Sequence, residues 1–143
     1  MPDPCVLFVC VKNAGKSQMA AALLRQLAPG RVEVHSAGTR PGGTLNELSR
    51  QVVEEVGASL AGEWPKAVDP DLLRRADRVI VVGSDARLDP VDGMRAPITT
   101  WELDEPSARG IDGIERMRLV RDDLNDRVRS LLAGLDQGLP ESR

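Results

Sequence analysis

The apolar and polar positions fall into short unbroken runs separated by longer amphipathic stretches. Residues 5–9 form an apolar run the length of a buried strand. An alanine-rich helical pattern follows over 18–27, its start placed near Gly15 to Ser17. Pro29-Gly30 breaks that pattern, and 31–35 alternates like a second short strand. Leu48, Val52, Val53 and Val56 recur at helical spacing within 46–56, and Gly57 stands where a helix C-terminus favours glycine. Residues 60–66 read as a loop with Trp64 near its tip, 71–76 as a short helix, and 78–82 as a β-branched strand. Residues 96–100 read as a fourth strand, placed near an edge or a strand start by Pro97. A last helix over about 113–133 turns Ile114, Met117, Val120, Leu124, Val128, Leu131 and Leu132 inward.

Strands alternating with helices predict an α/β fold: a doubly wound four-stranded parallel sheet with helices on both faces. Ligand sites of such sheets lie beyond the carboxyl ends of the strands. One domain is expected over 1–135, followed by a loose tail over 136–143.

Composition narrows the function classes. A chain of 143 residues buries a core without staples, and its net charge of −3 with no basic run argues against a nucleic-acid partner. No apolar stretch approaches a membrane span, and Met1-Pro2-Asp3-Pro4 does not read as a signal peptide, so a cytoplasmic location is expected. Two cysteines and one histidine, with no Cys-x2-Cys or His-x3-His pairing, predict no metal site. At about 3.3 Å per residue, Cys5 and Cys10 stand roughly 16 Å apart along a strand, too far to bridge. Cys5 is therefore expected in the core.

The chemistry concentrates in Cys10-Val11-Lys12-Asn13-Ala14-Gly15-Lys16-Ser17, a tight loop between the first strand and the first helix. Unpaired N–H groups and the positive dipole end of that helix make the loop an anion site. A cysteine facing a helix N-terminus beside a lysine is favoured as the thiolate, the nucleophilic form. Asn13 suits a left-handed turn, Gly15 permits close backbone approach, and Ser17 has a hydroxyl to offer the sulfur. Gly15-Lys16-Ser17 ends like a nucleotide P-loop, but that motif requires glycine where Cys10 stands. A strand-end core cysteine before an ordinary helix cap leaves Lys12, Asn13 and Lys16 unexplained.

The stretch Val6-Leu7-Phe8-Val9-Cys10 through Ala20 resembles the low-molecular-weight tyrosine phosphatase family, and within it the arsenate reductase branch. His35-Ser36-Ala37-Gly38-Thr39, Asp69-Pro70-Asp71-Leu72-Leu73 and the acidic-proline step Glu105-Pro106 extend the resemblance over nearly the whole chain. It implies that Val11, Lys12, Asn13, Ala14, Gly15, Lys16 and Ser17 cradle an oxyanion, that Cys10 is the nucleophile, and that Asp104 or Glu105 is the general acid. The nearness of these two carboxylates is expected to raise one pKa. The family's proton donor is an aspartate before the proline, where this chain has Glu105, so both carboxylates remain candidates.

One departure is informative. The family's phosphatases carry arginine where this chain has Lys16, although basic positions elsewhere are overwhelmingly arginine: sixteen Arg against three Lys. Arginine grips two oxygens with a planar fork, whereas lysine is a compact charge, so phosphoryl transfer suffers from the exchange. Lysine here resembles the mycothiol-dependent arsenate reductases of actinobacteria. The thioredoxin-coupled branch has resolving cysteines after the third strand, where residues 81–88 hold none. The resemblance therefore implies arsenate as substrate, a low-molecular-weight thiol such as mycothiol as cosubstrate, no metal, and a mycoredoxin- or glutaredoxin-like partner. Cys10 as covalent carrier of arsenic and Cys10 as a polarising group both fit. A phosphatase and a non-catalytic oxyanion binder are the competing functions. His35 is expected to be structural, and Trp64 and Lys66 either flank the entrance or pack on their own loop.

Overall fold

The computed structural model describes residues 3–136. Four strands, β1 (Cys5–Cys10), β2 (Glu33–Gly38), β3 (Arg78–Val82) and β4 (Ile98–Trp101), form one parallel sheet in the order β2-β1-β3-β4. Four α-helices, α1 (Lys16–Leu27), α2 (Glu47–Glu55), α3 (Pro70–Arg75) and α4 (Gly113–Asp136), accompany it, with a 3-10 turn at Pro106–Arg109. The expected α/β doubly wound architecture is the observed one.

β1 is buried along its whole length because it lies inside the sheet with both faces covered. Val6 and Phe8 pack with α1, α2 and α4, and Cys5, Leu7 and Val9 pack on the other face with Leu73 of α3. The Phe8 ring meets Trp101 at 5.7 Å between centroids, so this buried tryptophan supports the sheet from beneath the loop that follows β4.

Several boundaries differ from the sequence reading. β2 begins at Glu33, because residues 28–31 close a turn in which the Arg31 N–H reaches the Ala28 carbonyl. It runs on to Gly38, since register with β1 pairs Cys10 with Gly38 and small side chains let the ladder continue. β4 starts at Ile98, directly after Pro97, and is one of the two edge strands. In α2, Val56 is 40 % exposed, while Ser49 is fully buried in its stead. Gly134 does not end α4, which runs to Asp136; the rest of the expected tail lies outside the described residues. Among the described residues no helix is long and apolar enough to cross a membrane.

Cys5 belongs to the core, at the end of β1 remote from Cys10. Burial, reinforced by Glu33, pushes its thiol up to about 11 and leaves it inert. Hydrogen bonds from Arg75 and His35 hold the Glu33 carboxyl at about 2, against an ordinary 4.5. A depressed carboxylate stabilises the fold above its unfolded pKa and loses that contribution as the pH falls through its folded one. Glu33→Gln is therefore expected to melt lower than wild type near neutral pH and to lose less stability on acidification from 4.5 to about 2, read from thermal melts.

Candidate active site

The loop between β1 and α1 turns its carbonyls outward. Those of Cys10, Val11 and Lys12 accept from the N–H groups of Thr39, Arg40 and Gly42 at 2.8–3.0 Å, and that of Ala14 accepts from Asn46 at 2.7 Å. The Asn13 carbonyl accepts from Gln18 Nε2. With every carbonyl of the turn engaged behind it, the N–H groups of Lys12, Ala14 and Gly15 have no protein partner among the described residues. They are joined by the unpaired first-turn N–H groups of α1, so the concave side of the loop is a ring of donors suited to an oxyanion.

Gly38 makes this close docking possible. A Cβ there would lie 2.7 Å from the Val11 oxygen and 3.0 Å from Asn13. Gly38→Ala is expected to destabilise the protein by about 1–3 kcal/mol and to weaken phosphate binding, because the loop must move outward. Denaturant unfolding and a phosphate titration check the two effects together.

Within the loop, Asn13 takes the left-handed conformation at φ 53° and is fully buried. The Lys66 backbone N–H, which can only donate, meets the Asn13 side chain at 3.0 Å, and this fixes that atom as Oδ1. Nδ2 therefore faces Ser17 and donates to its Oγ at 2.8 Å. The Ser17 hydroxyl, having accepted from Asn13, keeps its own hydrogen available to Cys10 Sγ, also 2.8 Å away, and is the donor of that pair when the sulfur is a thiolate. The Asn13 N–H adds a second donor to the sulfur at 3.3 Å. Cys10 is only 8 % exposed and sits at the base of the ring with donors directed at it.

Above the loop opens a cavity of about 240 Å³. Its floor is Cys10 to Gly15 apart from the buried Asn13, with Lys16 at the edge; Asn46 and Ser49 of the α2 start form one side. Val82, Gly83 and Ala86 of the β3 end and Met117 and Val120 of α4 form an apolar wall, broken by Asp85 and Arg116. Gly83 has φ 88° and leaves room for Lys16, whose Nζ would lie 3.3 Å from a Cβ at that position.

Lys16 Nζ donates to Glu105 Oε1 at 3.1 Å, and Arg116 approaches the other oxygen of the same carboxylate at 3.7 Å. Asp104 is placed differently. Arg109 binds it through two hydrogen bonds and holds its carboxyl below the ordinary range, while its backbone N–H donates to Asp123. Asp104 is not the carboxylate whose pKa the nearness of the pair is expected to raise, because the Arg109 hydrogen bonds lower it. Of the two, Glu105 is the one that meets cavity-lining cations.

His35 bonds Glu33 at 2.5 Å, and Leu7 is its register partner on β1, far short of the loop. The Trp64 side chain is 63 % exposed and does not line the cavity; its carbonyl accepts from Gln18 and Lys66. Lys66, desolvated and so lowered in pKa, lies 3.5 Å from Asn13 Oδ1 on the back of the loop. Sequence patterning did not single out Ser49, Asp85 or Arg116. Ser49 and Arg116 read as ordinary helix positions, and only the packing of α2 and α4 against the loop brings them to the cavity.

Residues 5–141 match the low molecular weight phosphotyrosine protein phosphatase family. A solved structure of a Corynebacterium glutamicum thioredoxin-dependent arsenate reductase is 33 % identical with a TM-score of 0.78, over 96 % of this chain and 64 % of that one. This chain thus spans a little under two thirds of that protein. An arsenate reductase solved in its phosphate-binding state is 28 % identical with a TM-score of 0.75, covering 91 % of this chain and 97 % of its own. A glutaredoxin arsenate reductase of Synechocystis is 28 % identical over 90 % of this chain and 95 % of its own length.

Proposed function

The chain belongs to the low-molecular-weight phosphotyrosine protein phosphatase family, and from that membership we propose that it is an arsenate reductase of the thiol-transfer type. The observation that carries the reading is Lys16, a compact cation at the head of α1, at the edge of a donor ring whose base is a hydrogen-bonded sulfur. The names of the relatives support the same substrate.

Arsenate is held by the N–H groups of residues 11–17, with Lys12 and Lys16 adding charge. Aligned donors of this kind are the largest single contribution to many catalysed reactions. Sulfur attack on arsenic breaks one As–O bond, and the departing oxygen leaves as water after taking a proton. Glu105 is the proposed donor, with Asp104 held aside by Arg109. Cys10 acts on the arsenic as nucleophile; the thiolate of a small thiol, mycothiol-like, then attacks the arsenic, the Cys10–As bond breaks with its electron pair returning to the Cys10 sulfur, and the As–S bond ends on the small thiol. Arsenic is still pentavalent there. A redoxin thiolate of the mycoredoxin or glutaredoxin kind then attacks the sulfur of that adduct. The As–S electron pair stays on arsenic, which leaves as arsenite, and the two sulfurs are joined in a mixed disulfide. The second sulfur is external because Cys5 is buried at the other end of β1. No step in this sequence calls on a metal, a nucleic acid or a membrane, and the proposed location is the cytoplasm.

A second reading, a phosphatase acting on a small ester or on phosphotyrosine, is favoured by the apolar wall of Val82, Ala86, Met117 and Val120, which an ester's organic group would fill. Lys16→Arg separates the two. It is expected to raise aryl-phosphate hydrolysis on the order of tenfold, since a bidentate fork matches the equatorial oxygens, and to lower arsenate turnover. The function itself is tested by arsenate-dependent turnover with mycothiol and a redoxin, beside an aryl-phosphate assay on the same preparation. Turnover that needs arsenate, thiol and Cys10 together is the expected result. Brisk phosphate release with no arsenate turnover would make the protein a phosphatase. A protein that turns over neither substrate and whose biological activity survives alkylation of Cys10 would be a non-catalytic oxyanion binder.

A further inference from the structure

We propose that Arg116 is a positioning residue that keeps Glu105 at the mouth of the cavity when Lys16 leaves it for an oxyanion; this rests on the reading of Glu105 as the proton donor. The Glu105 carboxylate is shared. Oε1 holds Lys16 at 3.1 Å, a hydrogen bond, whereas Oε2 stands 3.7 Å from Arg116 Nη2, an ion pair with slack in it. Arg116 is otherwise underused for an arginine. Its Nε is buried with no partner among the described residues, and Nη1 finds only the Met117 sulfur at 3.8 Å. Arg118, two residues on along the same helix, is by contrast clamped to Glu55 through three hydrogen bonds.

An oxyanion entering the ring brings more negative charge than one carboxylate, so Lys16 turns toward it. Glu105 then loses its hydrogen-bonded cation and faces a like charge. Left alone, a half-exposed carboxylate would rotate into solvent, away from the cavity mouth. Arg116 lines the same cavity from α4, an element separate from the loop. By closing onto Oε2 it retains the carboxylate and screens it from the oxyanion. Arg116 does not itself touch the oxyanion.

The test is a double-mutant cycle read with inorganic phosphate as probe, by calorimetry on the full chain, with wild type, Arg116→Gln, Glu105→Gln and the pair. Removing Arg116 is expected to weaken phosphate binding roughly fivefold while Glu105 is present, and by less than about twofold once Glu105 is already Gln. Arg116→Lys, which keeps the charge, is expected to restore most of the affinity. The same loss in both backgrounds would mean direct contact with the anion and would overturn the assignment, as would no loss at all or a failure of lysine to rescue. Where turnover is measurable, Arg116→Gln is expected to lower kcat roughly tenfold with a smaller change in KM, because the donor is displaced while most of the cradle stays. The phosphate titration needs no turnover. A protein that reduces no arsenate but obeys the cycle would lose the proposed function and keep this role for Arg116.

Discussion

Cys10→Ser is expected to lower turnover at least about 10⁴-fold while leaving the fold and phosphate binding nearly intact. Oxygen replaces sulfur with little change in size at a position 8 % exposed, so the melting temperature should move by only a few degrees. What is lost is the proposed nucleophile. A serine hydroxyl at neutral pH is a poor attacker without a base, and no histidine is available to it, since the sole imidazole is bound to Glu33. The donors that surround the sulfur also have a different effect on a hydroxyl. Ser17 Oγ and the Asn13 N–H are spaced for a sulfur acceptor, and the shorter Cβ–O bond of serine draws the replacing atom away from both. A stopped assay with a limit of one part in 10⁵ of wild type, together with a phosphate titration, reads both halves of the expectation.

Asn13→Ala should be the most damaging single change outside the nucleophile, in stability as well as rate. Three consequences converge on one residue. Alanine at φ 53° is strained where asparagine is tolerated. The Lys66 N–H and Gln18 Nε2 lose the shared acceptor Oδ1. Ser17 Oγ loses the donor that occupies one of its lone pairs and orients the hydroxyl beside the sulfur. Buried groups left unpaired cost on the order of 1–3 kcal/mol each, and Gln18 retains other acceptors, so a total of about 3 kcal/mol is expected. That lowers the melting temperature by roughly 10 °C for a chain of this length. Asn13→Asp separates structure from chemistry. It keeps the left-handed tolerance and the acceptor for Lys66 but turns the Ser17-facing atom into an acceptor. The Ser17 hydrogen then goes to the carboxylate instead of the sulfur. Turnover is expected to fall as far as in Asn13→Ala with a smaller loss of stability, and equal losses of stability in the two variants would contradict the relay.

Much of this arrangement was legible in the order of residues. The apolar run of β1, the loop chemistry of 10–17 and the β-branched run of β3 place a cysteine at a strand end just before a helix start, which is where the structure has Cys10. Local signals served because each of these features is local: Asn13 occupies the one positive-φ position outside glycine among the described residues. What was not legible depends on elements meeting from far along the chain. Nothing in residues 113–133 marks Arg116 apart from the other arginines of α4, and its place at the cavity follows from how α4 crosses α1 and α2. The split between Asp104 and Glu105 likewise depends on Arg109, five residues on, and on Lys16 across 89 residues of chain. The extension of β2 to Gly38 was hidden because Ser36-Ala37-Gly38 lacks strand-forming side chains; register with β1 and contact with the loop decide it.

The central claim is that arsenic passes to an external thiol before it is reduced. Mass spectrometry of a mixture of protein, arsenate and mycothiol, with the redoxin withheld, tests it most directly. The account predicts an arseno-thiol adduct that accumulates with wild type, is absent with Cys10→Ser, and is converted to arsenite when the redoxin is added. Arsenite appearing without that adduct and without the redoxin, or no arsenic–sulfur species under any small thiol, would contradict it.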